Sequence, residues 1–238
     1  MRFFNTEGPV DCARHYCLPP LARLDMADVR MLIGQQKYFA IHAPPRSGKT
    51  TYLLALAAYL NQEGRYHAVY TSSHLTNSAG SDFGDDLKNL AEQISIAAQA
   101  QIGDVDALTI ASQVLATSPG ISMLGEFLTL WSRAVRQPIV LLLDDLHTLA
   151  RDTLFSLLRQ LRSNYPQRPT HFPQSIILCG VHDIRDYGIH LGSGQAFPSG
   201  NSVFNIKATS LSLEDFRPAQ IEHLLLDFGS EKKEKCER

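Results

Sequence analysis

Three stretches of the chain are apolar almost without a break: 37–43 (KYFAIHA), 138–143 (PIVLLL) and 175–181 (SIILCGV). Short runs with no polar alternation predict strands covered on both faces, as in a parallel sheet flanked by helices. Two weaker runs, 66–71 (YHAVYT) and 203–207 (VFNIK), carry polar interruptions and read as strands nearer the sheet edges. Between these runs the apolar spacing turns helical. Residues 50–62 place Leu53, Leu54, Ala57 and Leu60 on one side. Residues 83–101 repeat Leu87, Leu90, Ile94 and Ala98 behind Asp82 as the N-cap. Residues 122–136 repeat Leu124, Phe127, Leu128 and Trp131, and residues 148–164 repeat Leu154, Leu157, Leu158 and Leu161. These stripes are core rather than a cofactor box. Alternating strands and helices predict an α/β fold built on a doubly wound sheet.

Three stretches read as loops: 72–81, rich in Ser, Asn and Gly; 164–174, with its prolines; and the glycine-rich 188–202. The end of the chain, GSEKKEKCER, mixes charges without apolar periodicity and is expected to be disordered. Composition changes little. The chain has 238 residues, 44% hydrophobic and 19% charged, enough for one large domain. A net charge of −2 and no basic stripe interleaved with aromatics argue against nucleic acid as partner. No apolar run is long enough to span a bilayer and the N-terminus has no signal-peptide core, so no membrane role is expected and the cytoplasm is the expected location. Cys12, Cys17, Cys179 and Cys236 lack the second pair a zinc site needs and are expected to be reduced and unpaired.

The chemistry is concentrated in two places. Residues 42–51, HAPPRSGKTT, follow an apolar strand and open a helix. They match the phosphate-loop pattern G-x-x-x-x-G-K-[ST] except at its first position, which is Ala43. A small residue suffices there. Pro44 and Pro45 stiffen the entry and remove two N–H donors, while donors from Arg46 through Ser47, Gly48, Lys49, Thr50 and Thr51 remain. Gly48 admits close backbone approach, Lys49 would reach the β- and γ-phosphates, Thr50 would ligate Mg²⁺, and Thr51 is placed for an α-phosphate.

The second place is IVLLLDD at 139–145. Its acids fall at the C-terminal end of a central strand, where open α/β sheets bind ligands. Asp144 is assigned to Mg²⁺ and Asp145 to the attacking water as base or orienting group. Asp145 also fits as the N-cap of a helix starting near Leu146 or Thr148.

With RFFNTEGPV (2–10), HYCLPP (15–20), ILCGVHDIRDY (177–187) and FNIKATSLSLEDFRPAQI (204–221), these motifs resemble AAA-like P-loop ATPases, in a bacterial group near the archaeal-type and STAND-like ATPases. The resemblance implies a three-layer αβα sandwich with a mainly parallel five-stranded sheet of order 5-1-4-3-2. It implies ATP as nucleotide, with Pro9, Val10 and Tyr16 on the adenine side. It puts the first sensor just after the 175–181 strand, where His182, Asp183 and Arg185 lie, His182 and Arg185 being taken as nucleotide-side candidates. Arg159, Arg162 and Arg168 are candidates for an arginine acting in trans. Residues 1–210 would be the ATPase core, 211–228 the start of a helical lid, and 229–238 a charged tail. The lid would be incomplete, through truncation, frameshift or a partner that supplies it. Asp-Asp in place of the more usual Asp-Glu suggests slow or partner-dependent hydrolysis.

The expectation is therefore Mg²⁺-dependent ATP binding and slow hydrolysis, with ADP as product and a protein partner or second copy engaged. The alternative is a nucleotide-gated interaction module that hydrolyses little. A nucleotide kinase is disfavoured because no Arg-rich lid segment is evident, and guanine because no Asn-Lys-x-Asp pattern occurs.

Overall fold

The computed structural model describes residues 2–73, 83–183 and 209–236. Its sheet contains β1 (Phe39–His42), β2 (His67–Ser72), β3 (Ile139–Asp144), β4 (Ser175–Gly180) and β5 (Ser210–Ser212). The strand order is β2-β3-β4-β1-β5, and every pairing is parallel. Read from the other edge this is 5-1-4-3-2, as expected. Helices α1 (Met26–Gly34), α2 (Lys49–Glu63), α3 (Phe83–Ile102), α4 (Asp106–Thr117), α5 (Gly120–Ala134), α6 (Arg151–Asn164) and α7 (Pro218–Cys236) accompany it.

The apolar runs are continuous because each central strand feeds two cores. In β3, Leu141 and Leu143 face a core built with α3, α4, α5 and α6, while Val140 and Leu142 face one built with α1 and α2. Side chains alternate faces along a strand, so a strand covered on both sides has no polar position to spare. The stripes expected on α3, α5 and α6 are all buried. On α2, Leu54 is 36% exposed, and Tyr52 and Leu56 are buried instead. The buried set 52, 53, 56, 57, 60 follows the helical period, which leaves position 54 on the far side.

β2 is an edge strand, and two side-chain amides close its free edge. Asn61 donates to Ala68 O at 2.8 Å and accepts from Ala68 N at 2.7 Å. Gln101 does the same at Tyr70, with 2.7 and 2.9 Å bonds. Satisfied this way, the edge offers less backbone for pairing with another chain.

Three expectations change. Cys12 and Cys17 are joined as a disulfide with Cα atoms 5.3 Å apart, not reduced and unpaired. Asp11 O accepts from both Arg14 N and His15 N, and this turn brings the two cysteines together. Cys179 is free and buried, as expected. The final segment is helical as far as Cys236 rather than disordered, in keeping with its Glu and Lys content. The fifth strand is Ser210–Ser212, and the anticipated run 203–207 lies outside the described residues, as do Asp82, most of the 72–81 loop and the 188–202 loop. Among the described residues no helix is long and apolar enough to cross a membrane.

Candidate functional site

β1 ends at His42, and the chain turns through Ala43–Gly48 into α2. Ala43 N still donates to Gly180 O at 3.3 Å, and the Ala43 methyl is buried in the core against α1 and α2. Its first-position role is thus a packing role, which a methyl fills. Arg46 and Gly48 take left-handed backbone, at φ 64° and 91°. For Gly48 this costs nothing; a Cβ residue there would be strained. Ser47 N closes a turn on Pro44 O at 3.4 Å.

Lys49 opens the helix and folds back over the loop. Its ammonium donates to Ala43 O and Pro44 O at 2.8 Å each, and the residue is 8% exposed. The first backbone N–H groups of a helix lack intrahelical acceptors and carry its partial positive charge. Ser47 Oγ is buried without a hydrogen-bond partner. A buried ammonium, helix-start N–H groups and an orphaned hydroxyl within one loop are a donor set suited to a phosphate.

Asp144 ends β3 fully buried. A carboxylate removed from water must be hydrogen-bonded. Thr50 Oγ1 donates to its Oδ2 at 2.7 Å, Tyr70 OH donates to the same atom at 3.3 Å, and Asp145 N donates to Oδ1 at 2.8 Å. Ser73 Oγ holds the Asp144 carbonyl at 3.0 Å. Asp145 is left-handed, at φ 58°. Its carboxylate accepts from Ser72 Oγ at 2.8 Å, and its carbonyl accepts from Thr148 N and Thr148 Oγ1. It precedes the short 3-10 turn Leu146–Thr148 and makes no side-chain cap to it, so the capping reading is not realised. Burial, then the charges of Asp144 and Asp145, push the Tyr70 phenol above its ordinary range. Burial, with Asp144 next, does the same to the Cys179 thiol. Both groups stay protonated beside the acids.

The structure brings Ala43, Pro44, Pro45, Arg46, Ser47, Gly48, Lys49, Thr50 and Thr51 into one loop and helix start, with Asp144 bonded to Thr50 and Asp145 next to it in the chain. Val10 N donates to Thr51 Oγ1 at 3.0 Å, which fastens Pro9 and Val10 to the first turn of α2. Tyr16 is buried and packs on Phe4 and Phe228, with Arg2 over its ring. His182 is exposed just past β4, and Arg185 lies outside the described residues. Arg159 and Arg162 are exposed on α6. Arg168 instead stacks its guanidinium on Tyr165, 3.2 Å from the ring centroid, and its Nε donates to Tyr165 O. Sequence reasoning missed Tyr70, Ser72, Ser73 and Arg23. The only signal for the first three was their place at the end of a weak strand.

A strand–loop–helix phosphate cradle beside a buried acid on the next strand but one defines a P-loop nucleoside-triphosphatase core. The AAA domain family matches residues 32–187, more than half of the chain, and the chain belongs to that family, the AAA-like P-loop ATPases. No curated protein matches. Among solved structures, a chain of the complex of Drosophila ORC bound to poly(dA/dT) DNA and Cdc6 is similar at 13% identity and TM-score 0.55, covering 87% of this chain and 30% of that one. Its counterpart with GC-rich DNA matches at 14% identity and TM-score 0.55, covering 87% and 30%. Cdc6p from Pyrobaculum aerophilum matches at 18% identity and TM-score 0.50, covering 87% and 47%. The chain thus spans less than half the length of each of these relatives, and at these identities the likeness is one of fold.

Proposed function

We propose that this chain binds ATP with Mg²⁺ and hydrolyses it slowly to ADP, with turnover governed by a protein partner or a second copy. One observation carries the reading: Thr50 Oγ1 lies 2.7 Å from Asp144 Oδ2, although the two residues are 94 positions apart. Two independently recognised motifs meet at one pair of oxygens. A hydroxyl and a carboxylate suit Mg²⁺, which takes one or two protein oxygens and completes its shell with phosphates and water. When bound, the ion would neutralise charge on the transferring phosphoryl group.

The chain's own residues account for the rest. Lys49 and the helix-start N–H groups bind and orient the phosphates, which is most of what phosphoryl transfer asks of a protein. Asp145 orients water or accepts its proton. Ser72 holds that carboxylate by a hydrogen bond, which fits slow turnover in the isolated chain. Pro9, Val10 and Tyr16 form the adenine side, with His182 toward the γ-phosphate end of the site, and Arg159 or Arg162 is the arginine available to a neighbouring protomer. Residues 1–210 form the core. α7, with Ile221, Leu225 and Leu226 exposed, reads as the first helix of a larger helical unit. The cytoplasm, where ATP is available, is the proposed location. The Drosophila structures contain DNA; a net charge of −2 gives no reason to carry that partner to this chain.

The second reading, a nucleotide-gated module that hydrolyses little, is favoured by the same Ser72–Asp145 bond. Fluorescent-ATP binding and steady-state phosphate release, each with Mg²⁺ and with EDTA, separate the two. Binding without release supports the module, and binding with Mg²⁺-dependent release supports the ATPase. Binding that survives Lys49→Ala undiminished would remove the basis for both.

A further inference from the structure

Arg23 belongs to neither motif yet touches the phosphate loop. It ends a short 3-10 turn, Pro20–Arg23, that packs on α2. Its Nη1 donates to Ser47 O at 3.0 Å, and its Nη2 donates to Glu214 O. The guanidinium carbon lies 4.2 Å from the centroid of the Phe216 ring. The place a Cβ on Gly48 would occupy is 3.6 Å from Nη1. Burial lowers the pKa of this guanidinium, and the Asp215 carboxylate opposes the shift. One side chain therefore joins the phosphate loop to the Glu214–Phe216 segment between β5 and α7.

The bond to Ser47 has a directional consequence. In a planar trans peptide the C=O and the following N–H point opposite ways. With Ser47 C=O held toward Arg23, Gly48 N–H is turned to the other side of the loop. Gly48, at φ 91°, is the residue freest to rotate out of that arrangement. Arg gives two N–H donors in a rigid fork and a flat face for the ring, which Lys does not.

We propose that Arg23 is a positioning residue that sets the Ser47–Gly48 peptide for phosphate and couples it to the segment leading into α7. This rests on the ATP-binding reading above. Coupling of this kind is reciprocal: a partner that grips the 214–216 segment changes phosphate affinity, and bound phosphate orders that segment.

The test is amide hydrogen exchange on the full chain with and without Mg²⁺-ATP, combined with ATP titration. In the unmutated protein, ATP slows exchange at both 44–51 and 213–217. Arg23→Ala binds ATP about tenfold more weakly. At saturating ATP it keeps protection at 44–51 and loses it at 213–217. Arg23→Lys follows Arg23→Ala. Phe216→Ala, which removes only the ring, weakens ATP by about threefold. Protection confined to 44–51 in the unmutated protein, or Arg23→Ala binding ATP normally, overturns the proposal while leaving the ATP reading intact. No protection at 44–51 overturns both. If Arg23→Ala fails to fold, the exchange pattern of the unmutated protein and the Phe216→Ala titration decide.

Discussion

Two left-handed turns lie at the same end of the sheet and were built differently. The turn after β1 puts its largest angle, φ 91°, on Gly48, directly before the helix, with Arg46 also left-handed at 64° earlier in the loop; the turn after β3 places φ 58° on Asp145, whose side chain is the acid itself. Glycine takes this conformation freely, and aspartate takes it at some cost. On the proposed reading, the first turn uses glycine so that backbone can come close to a phosphate, and its chemistry would come from N–H groups and Lys49. On the same reading the second accepts the cost because its chemistry would be that of the side chain. The left-handed backbone and the Thr148 bonds fix the position of this residue, and the Ser72 hydroxyl restrains its carboxylate. A loop that binds and a turn that acts should therefore separate under mutation.

The largest separation should come from Lys49→Ala, which removes the ammonium bonded to the loop carbonyls Ala43 O and Pro44 O. It should lower kcat/KM for ATP hydrolysis about 10³-fold, chiefly through lost nucleotide binding. Binding and phosphate-release assays on the same preparation check this. Asp145→Asn comes next. Asn also tolerates left-handed backbone, so the turn survives while the base is lost. Turnover should fall about 10²-fold, with ATP affinity unchanged within about twofold. If Asp145→Asn weakened binding as much as turnover, the division between a binding loop and an acting turn would fail. Ser72→Ala should be milder and opposite in sign. Freeing the carboxylate should raise turnover about threefold, the size of one net hydrogen bond, with KM unchanged.

The two turns also differ in how far they could be read in advance. The first announced itself because Gly48, Lys49 and Thr50 are consecutive, and a local pattern needs no tertiary knowledge. β1, β3 and β4 were legible for a related reason, since strands buried on both faces leave no polar position. The stripes of α3, α5 and α6 were legible from period alone. The supports of the second turn were not. Ser72 and Tyr70 matter only because β2 pairs with β3 in the register that sets Ser72 opposite Asp144. Nothing within YHAVYTSS states that register. β5, Ser-Leu-Ser, is three residues long and only partly buried, too short to show a pattern. α4 buries Ala107, Ala111 and Val114, a stripe too small to stand out. Arg23 lies in Leu-Ala-Arg-Leu, which carries no signal until Ser47 and Glu214 are beside it.

The smallest effects give the sharpest version of the comparison, because they concern stability rather than rate. A Cβ on Gly48 would meet Arg23 Nη1 at 3.6 Å, an ordinary contact, so Gly48→Ala is penalised by conformation alone. Left-handed backbone costs alanine about 1–2 kcal/mol, and the stiffer unfolded chain returns part of it, leaving a loss of about 1 kcal/mol. At position 145 the balance runs the other way. Glycine would relieve the φ of 58° but would lose the Ser72 bond and loosen the unfolded chain. Asp145→Gly should therefore change stability by less than about 0.5 kcal/mol in urea unfolding, while turnover falls as far as in Asp145→Asn. A strong destabilisation by Asp145→Gly would mean that the second turn keeps its aspartate for the fold, and the contrast between the turns would then be one of packing rather than chemistry.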